Sequence, residues 1–316
     1  MSPRVIAFFF IMFAALFSGY YAQKTEWIKR EQSQNISRFM VIYIFPFVII
    51  ISIWKLRISM GLILLPIIGA LTSLATIIPS LIISRFYGFY RDQTGSYVGA
   101  AMLSNVGLTL GAFVCFVLLG EDGFSYALIY VTYFIPFFFT VASYIASLYS
   151  TLDSPGLREN IKAAILDPIS LVPNLAMIFG FILNLTGIHR PAFLALTNEI
   201  AIYLSNFIFL FACALTFDFS KMRGYSREAI SLFPIKFVFS PMVGVGLVYL
   251  LSLGNVKDVL LLKVIFIESS MPVAVFAMLL PQLFSLDQNL ANSAWIYTTV
   301  GFLFVVPCLV YLLGVF

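Results

Sequence analysis

Ala127-Leu128-Ile129-Tyr130-Val131-Thr132 returns 167 positions later as Ala294-Trp295-Ile296-Tyr297-Thr298-Thr299, with four of the six residues unchanged. The spacing recurs elsewhere. Pro66 and Pro234 lie 168 apart, and two polar interruptions of apolar runs, at Asn105 and Pro272, lie 167 apart. About five hydrophobic spans separate the two copies, and an odd number turns the second copy upside down in a bilayer. Inverted repeats of interrupted helices are the sequence mark of a secondary transporter, with its substrate site at the repeat interface near the bilayer midplane.

Composition sets the class. Of 316 residues, 61% are hydrophobic and 10% charged, with a mean hydropathy of +1.02, whereas a soluble chain carries about 25% charged residues. Crossing a hydrocarbon core of about 30 Å takes about 20 apolar residues in a helix, because every backbone group must find its partner inside the segment. Ten runs qualify: 4–22, 37–55, 59–84, 95–119, 124–149, 168–187, 193–217, 229–252, 257–284 and 291–315. The reading is an all-α, polytopic membrane protein of ten transmembrane helices.

With ten spans, the connecting segments alternate sides. Those after spans one, three, five and seven hold Lys24, Lys29, Arg30, Arg38, Arg85, Arg91, Arg158, Lys162, Lys221, Arg223 and Arg227. The opposite set holds Arg4, Lys55, Arg57, Arg190, Lys257 and Lys263. Eleven against six puts the first set in the cytoplasm and both termini outside, in a multi-pass protein of the plasma or inner membrane. The net charge of +4 therefore orients helices. No basic face with interleaved aromatics suggests nucleic acid. The first run, opened by Arg4 and ending at Tyr21-Ala22, also fits a secretory signal, but it is kept as span one because the repeat needs it. Cys115, Cys213 and Cys308 fall in apolar runs and read as packing residues. Asn35-Ile36-Ser37 and Asn184-Leu185-Thr186 match a glycosylation pattern, and the first faces the cytoplasm in this topology.

Residues 151–167 form a polar stretch in which Pro155-Gly156 breaks any helix. The chain thus divides into a first five-helix repeat at 1–150, a cytoplasmic linker loop at 151–167 and a second five-helix repeat at 168–316. No nucleotide-binding loop is visible, so movement must follow a gradient. In each half the fourth span is interrupted. Ser104-Asn105-Val106-Gly107 gathers a hydroxyl, an amide and a glycine; Glu268-Ser269-Ser270-Met271-Pro272 adds a proline, which lacks an N–H and opens the helix. Unwound backbone at membrane depth survives only buried in protein or lining a wet cavity. Half-helix N-termini freed at such breaks favour an anionic group such as a carboxylate. The candidate substrate residues are Asn105, Gly107, Ser270 and Pro272, with Thr132 and Thr299 from the echoed stretches. A pair of kinks around a polar patch is the plainer alternative.

Glu268 is costly, since an acidic group at the centre of a span carries a penalty of about 3 kcal/mol on insertion scales. It calls for a cavity, a cation or a partner. Lys236, in the middle of span eight, is the other intramembrane charge, so a structural Lys236–Glu268 pair stands beside a coupling role for either residue. Hard cations prefer oxygen ligands. Ser104, Asn105 and Glu268 are the candidate sodium set, with Ser269 and freed carbonyls nearby. Threonine hydroxyls in membrane helices usually bond back to their own backbone.

These motifs fall in a familiar order. Ile36-Ser37-Arg38 through Phe45-Pro46 lies in span two, and Asn105-Val106-Gly107 lies in span four. Gly120-Glu121-Asp122-Gly123 follows span four, Asp167-Pro168 opens span six and Met271-Pro272-Val273-Ala274 interrupts span nine. Along its whole length the chain resembles the auxin efflux carrier family, whose bacterial members are transporters assigned to carboxylates and related metabolites. Ala112 stands about where that family has a proline. Ser104-Asn105 and Phe266-Ile267-Glu268 also resemble the crossing segments of the bile acid:sodium symporters, a related branch in which serine, asparagine and glutamate ligate sodium. The resemblance implies a 5+5 inverted repeat, with spans four and nine broken and crossing near Asn105 and Pro272.

An intramembrane hydrolase needs an acid–base or metal constellation, yet the one histidine, His189, lies beside Arg190-Pro191 in a loop. A channel's selectivity ring needs several like subunits or charges around an axis. The expectation is a non-enzymatic, alternating-access carrier of a small organic anion, coupled to sodium or protons. The alternative is a transporter-like sensor that binds without transporting. The partners are the anion, sodium or a proton, and the lipid bilayer, with no cofactor beyond a candidate sodium ion; a homodimer is an open assembly.

Overall fold

The computed structural model describes residues 3–150, 167–217, 224–251 and 258–314. The expected linker therefore lies outside the described residues, except for Asp167. Among them every regular element is helical, and the one β-type pairing is an isolated antiparallel bridge between Ser104 and Val273. Among the described residues, seven helices are long and apolar enough to cross a membrane: Arg4–Lys24, Gln32–Trp54, Gly61–Phe86, Gly111–Tyr149, Phe193–Ala214, Ser226–Leu251 and Gln288–Leu313. The ten runs of the sequence and these seven differ for a physical reason. The runs 95–119 and 257–284 are cut into short halves, the first of them passing into its neighbour through a sharp corner, and the run 168–187 contributes only the shorter apolar helix Leu171–Leu185.

That corner is the Gly120-Glu121-Asp122-Gly123 segment. Gly120 has φ 77° and ψ −164° inside the helix Gly111–Tyr130, a conformation essentially reserved for glycine. At Gly123 a Cβ would stand 3.0 Å from the Cys115 carbonyl and would run into the Leu119 side chain. One glycine turns the chain, and the other lets the next helix start against the previous one.

The chain forms two compact units, each built from both halves of the sequence. One takes Met1–Ser59, Gly107–Leu128 and Ile165–Phe217; the other takes Met60–Val106, Ile129–Ala164 and Asp218–Phe316. In the first unit, Pro3–Lys24 packs on Phe193–Ala214, and Phe45–Trp54 packs on Pro168–Leu185. Asp167 caps the last of these helices by accepting from the Ile169 N–H, with Pro168 at its first position. Asn184 donates to the carbonyls of Ile53, Trp54 and Leu56 at 2.6–3.1 Å, satisfying the open end of Phe45–Trp54. In the second unit, Ser240–Leu251 packs on both Val259–Ser269 and Leu64–Ala75. Arg91–Met102 packs on Gln288–Leu313 and on Ser143–Tyr149.

Candidate functional site

Both interruptions are built from backbone. The helix Arg91–Met102 ends, residues 103–106 run extended or irregular, and a 3-10 turn Gly107–Thr109 follows. Likewise Val259–Ser269 ends, residues 270–274 are non-helical, and the 3-10 turn Val275–Met278 follows. The two open segments pair within the second unit. Asn105 N–H donates to the Pro272 carbonyl at 2.8 Å, and Ala274 N–H donates to the Leu103 carbonyl at 2.9 Å. Each break thus supplies partners for groups the other has freed, which is what unwound chain at membrane depth requires.

Ser104, Asn105, Glu268, Ser269 and Ser270 are all buried here. The Ser269 and Ser270 hydroxyls donate back to the Ile265 and Phe266 carbonyls of their own helix. Gly107 has φ 67° and belongs to the first compact unit. Thr132 Oγ1 donates to the Ile129 carbonyl at 2.7 Å, the back-bond common in membrane helices. Thr299 Oγ1 is buried without a hydrogen-bond partner. Its neighbour Thr298 is the threonine that touches the break: it accepts from the Val273 N–H at 3.1 Å and donates to the Ala294 carbonyl. The doublet Thr298-Thr299 was visible in the sequence, but the helix register decides which of the two faces inward. Leu103, Val273 and Ala274 also enter the site, through backbone that no side-chain pattern signals.

Lys236 is fully buried. It lies in a wide turn, Ile235–Phe239, where the Ser240 N–H reaches back to the Ile235 carbonyl. Pro241 follows at once and offers no N–H to the Phe237 carbonyl. From there the Lys236 ammonium donates to the Leu103 carbonyl at 3.1 Å and to Ser104 Oγ at 2.9 Å. The Leu103 oxygen thus serves two donors, Ala274 N–H and Lys236 Nζ. Glu268 stands in the last turn of Val259–Ser269, close enough to act electrostatically on the Tyr133 hydroxyl, which is hydrogen-bonded to Ser73 Oγ at 2.9 Å. A carboxylate at a helix C-terminus faces the negative end of the dipole, whereas an ammonium there is favoured.

A second polar cluster sits in the first unit and was not singled out for chemistry by the sequence. Glu121 accepts from Arg190, including an Nη2–Oε2 bond of 3.0 Å, and from Asn198 Nδ2 at 3.0 Å. Lys55 Nζ lies 3.5 Å from Glu121 Oε2. Burial by itself would raise the Glu121 carboxyl, but the Arg190 hydrogen bonds and charge, the Asn198 bond and the Lys55 charge hold it below its ordinary 4.5. Three connecting segments are tied at this one carboxylate. Elsewhere in the chain, Cys115 and Cys213 are buried, while Cys308 is exposed on its helix.

The family model described as "Membrane transport protein" matches residues 3–148. Over 288 residues, 89% of this chain and 89% of the relative, the sequence is 25% identical to an uncharacterized transporter of Methanothermobacter thermautotrophicus (strain Delta H). The match covers the first interrupted helix and the Gly120–Gly123 corner, and the relative's likeness spans nearly the whole chain. Over its first half the chain is similar to the membrane transport protein family, and over most of its length to a transporter, in line with the auxin efflux carrier group that its motifs resemble.

Proposed function

We propose that this protein is a secondary transporter that moves a small organic anion, a carboxylate, across a cell membrane by alternating access, coupled to a sodium or proton gradient. The pair of helix breaks, at residues 103–106 and 270–274, carries the reading. Interrupted helices at matched places in two halves are the best pointer to a transport site. The geometry supports ten spans in a 5+5 inverted repeat. The breaks begin 167 residues apart, after Met102 and Ser269, and the corners that close the second halves, Gly120 and Ser285, both have positive φ. In this reading the substrate carboxylate binds at the breaks of the second unit, near Asn105, Ser270 and Pro272, with Thr132 and Thr299 on the flanking helices. Glu268, at the unfavourable end of its half-helix, is the group for the coupling cation; if that cation is sodium, Asn105 is a further oxygen, whereas Ser104 Oγ is already bound by Lys236 Nζ. Both termini face outward in this topology.

Uptake of a labelled panel of mono- and dicarboxylates into proteoliposomes under imposed sodium and pH gradients tests the proposal. Gradient-driven accumulation of one carboxylate is expected. Saturable binding with no flux would replace the carrier by a sensor. The carboxylate assignment has its own test, titration with an acid and its neutral amide. Loss of charge-assisted hydrogen bonds corresponds to about 1.5–3 kcal/mol, roughly ten- to hundredfold in affinity. Equal affinity for both would remove it.

A further inference from the structure

We propose that the Lys236 ammonium is a built-in cation, standing where a sodium ion would bind at the break after Met102, so that this chain takes no sodium there. Ending a helix frees carbonyl oxygens at its C-terminus. The Leu103 carbonyl and the Ser104 hydroxyl are ligands that a hard cation seeks. Both already receive Lys236 Nζ, at 3.1 and 2.9 Å. The ammonium also sits at the negative end of the Arg91–Met102 dipole, a place that favours a cation. The wide turn Ile235–Phe239 fixes where the fully buried side chain starts.

The resemblance to sodium symporters suggests Ser104 as a sodium ligand, and the oxygen of that residue is bound to the lysine. A sodium ion sharing the same two oxygens would stand about 4 Å from the ammonium. At an effective dielectric constant of ~20, their repulsion lowers sodium affinity about a thousandfold. One cation or the other can hold the place, and the covalent one is always present. The breaks are unlike in this respect: the first is met by a lysine, whereas the second carries Glu268 in its own last turn.

The inference rests on the transporter reading for its consequence, sodium-independent flux, but its test needs no transport. Thermal unfolding of the purified full chain in detergent is followed in sodium, potassium and choline chloride. The wild type should show the same Tm in all three salts. Lys236→Ala should unfold at lower temperature in choline and recover, saturably and selectively, with sodium, because removing the side chain uncovers the two oxygens. Lys236→Arg should keep the fold and stay indifferent to sodium. Sodium-selective, saturable stabilisation of the wild type overturns the inference, as does a folded Lys236→Ala that ignores sodium. If Lys236→Ala does not fold, a folded, sodium-indifferent Lys236→Arg beside a sodium-indifferent wild type supports the inference. Sodium-driven carboxylate uptake by the wild type would sink it while leaving the carrier reading intact; absence of any flux would sink the carrier reading alone.

Discussion

Glu121 and Glu268 are acidic residues near helix ends, and their surroundings set them different tasks. Glu121 opens the helical stretch after the Gly120 corner and is held by Arg190, whose side chain is 7% exposed. Its carboxyl lies below the ordinary 4.5, so its contribution to stability is fully present above that value and is lost as pH falls through the depressed one. Glu121→Gln should therefore lower Tm at neutral pH by the equivalent of about 3 kcal/mol, since it leaves a buried guanidinium without its charge partner. It should also flatten the acid limb of a Tm-versus-pH curve in detergent; an unchanged acid limb would show that other carboxylates carry it. Glu268 is fully buried at the disfavoured end of its helix. Glu268→Gln is expected to leave the protein folded and to permit counterflow of the substrate, while gradient-driven accumulation falls to equilibration. A variant that accumulates like the wild type removes Glu268 from coupling. The sequence made these residues conspicuous because a charge or amide inside an apolar run is rare and costly. It could not reveal Leu103, Val273 or Ala274, which contribute only backbone, and it pointed to Thr299 where Thr298 makes the contact.

At the scale of elements, apolar runs bounded by Pro, Gly and charge gave the spans to within a few residues: the run 193–217 is the helix Phe193–Ala214, and the run 4–22 is Pro3–Lys24. What the runs concealed were the departures from α-helix inside them. The wide turns Met40–Ile44, Phe138–Ala142 and Ile235–Phe239 lie near prolines, but a proline in a membrane helix is also compatible with a plain kink. The corner at Gly120 was legible as a glycine-bearing motif, although not as two helices joined without a loop. Its conformation gives a direct prediction. Any side chain at φ 77°, ψ −164° is strained by about 1–3 kcal/mol, so Gly120→Ala should lower Tm measurably. The nearest atom to an added Cβ there is Arg4 Nη1 at 3.6 Å, so the cost would be conformational and not a clash. Gly246→Ala, with ordinary φ and open space around its Cβ, is the matched control and should leave Tm unchanged or slightly raised.

At the scale of the molecule, packing repeats the order of the sequence. In one compact unit the first span packs on the seventh and the second on the sixth; exchanging each span for the one five places away turns either pair into the other. In the other unit, Arg91–Met102 packs on Gln288–Leu313 and on Ser143–Tyr149, and Leu279–Phe284 also packs on Ser143–Tyr149. The halves read from the sequence and the compact units describe different relations, since a repeat copies a pattern while a unit gathers what the pattern brings together. Composition and period could reveal the first; only tertiary contact reveals the second. An inverted repeat differs from a direct one in a measurable way, because matched segments must then lie on opposite faces of the membrane. Asp122, beside the Gly120 corner, and Gln288, at the start of the last long helix, lie 166 positions apart, within one residue of the common offset, and both are exposed. In a background with Cys115, Cys213 and Cys308 replaced, Asp122→Cys should react with a membrane-impermeant maleimide on intact cells, whereas Gln288→Cys should react only after permeabilisation. Labelling of both from the same side would make the number of crossings between them even, and the inverted five-plus-five arrangement would fall with it.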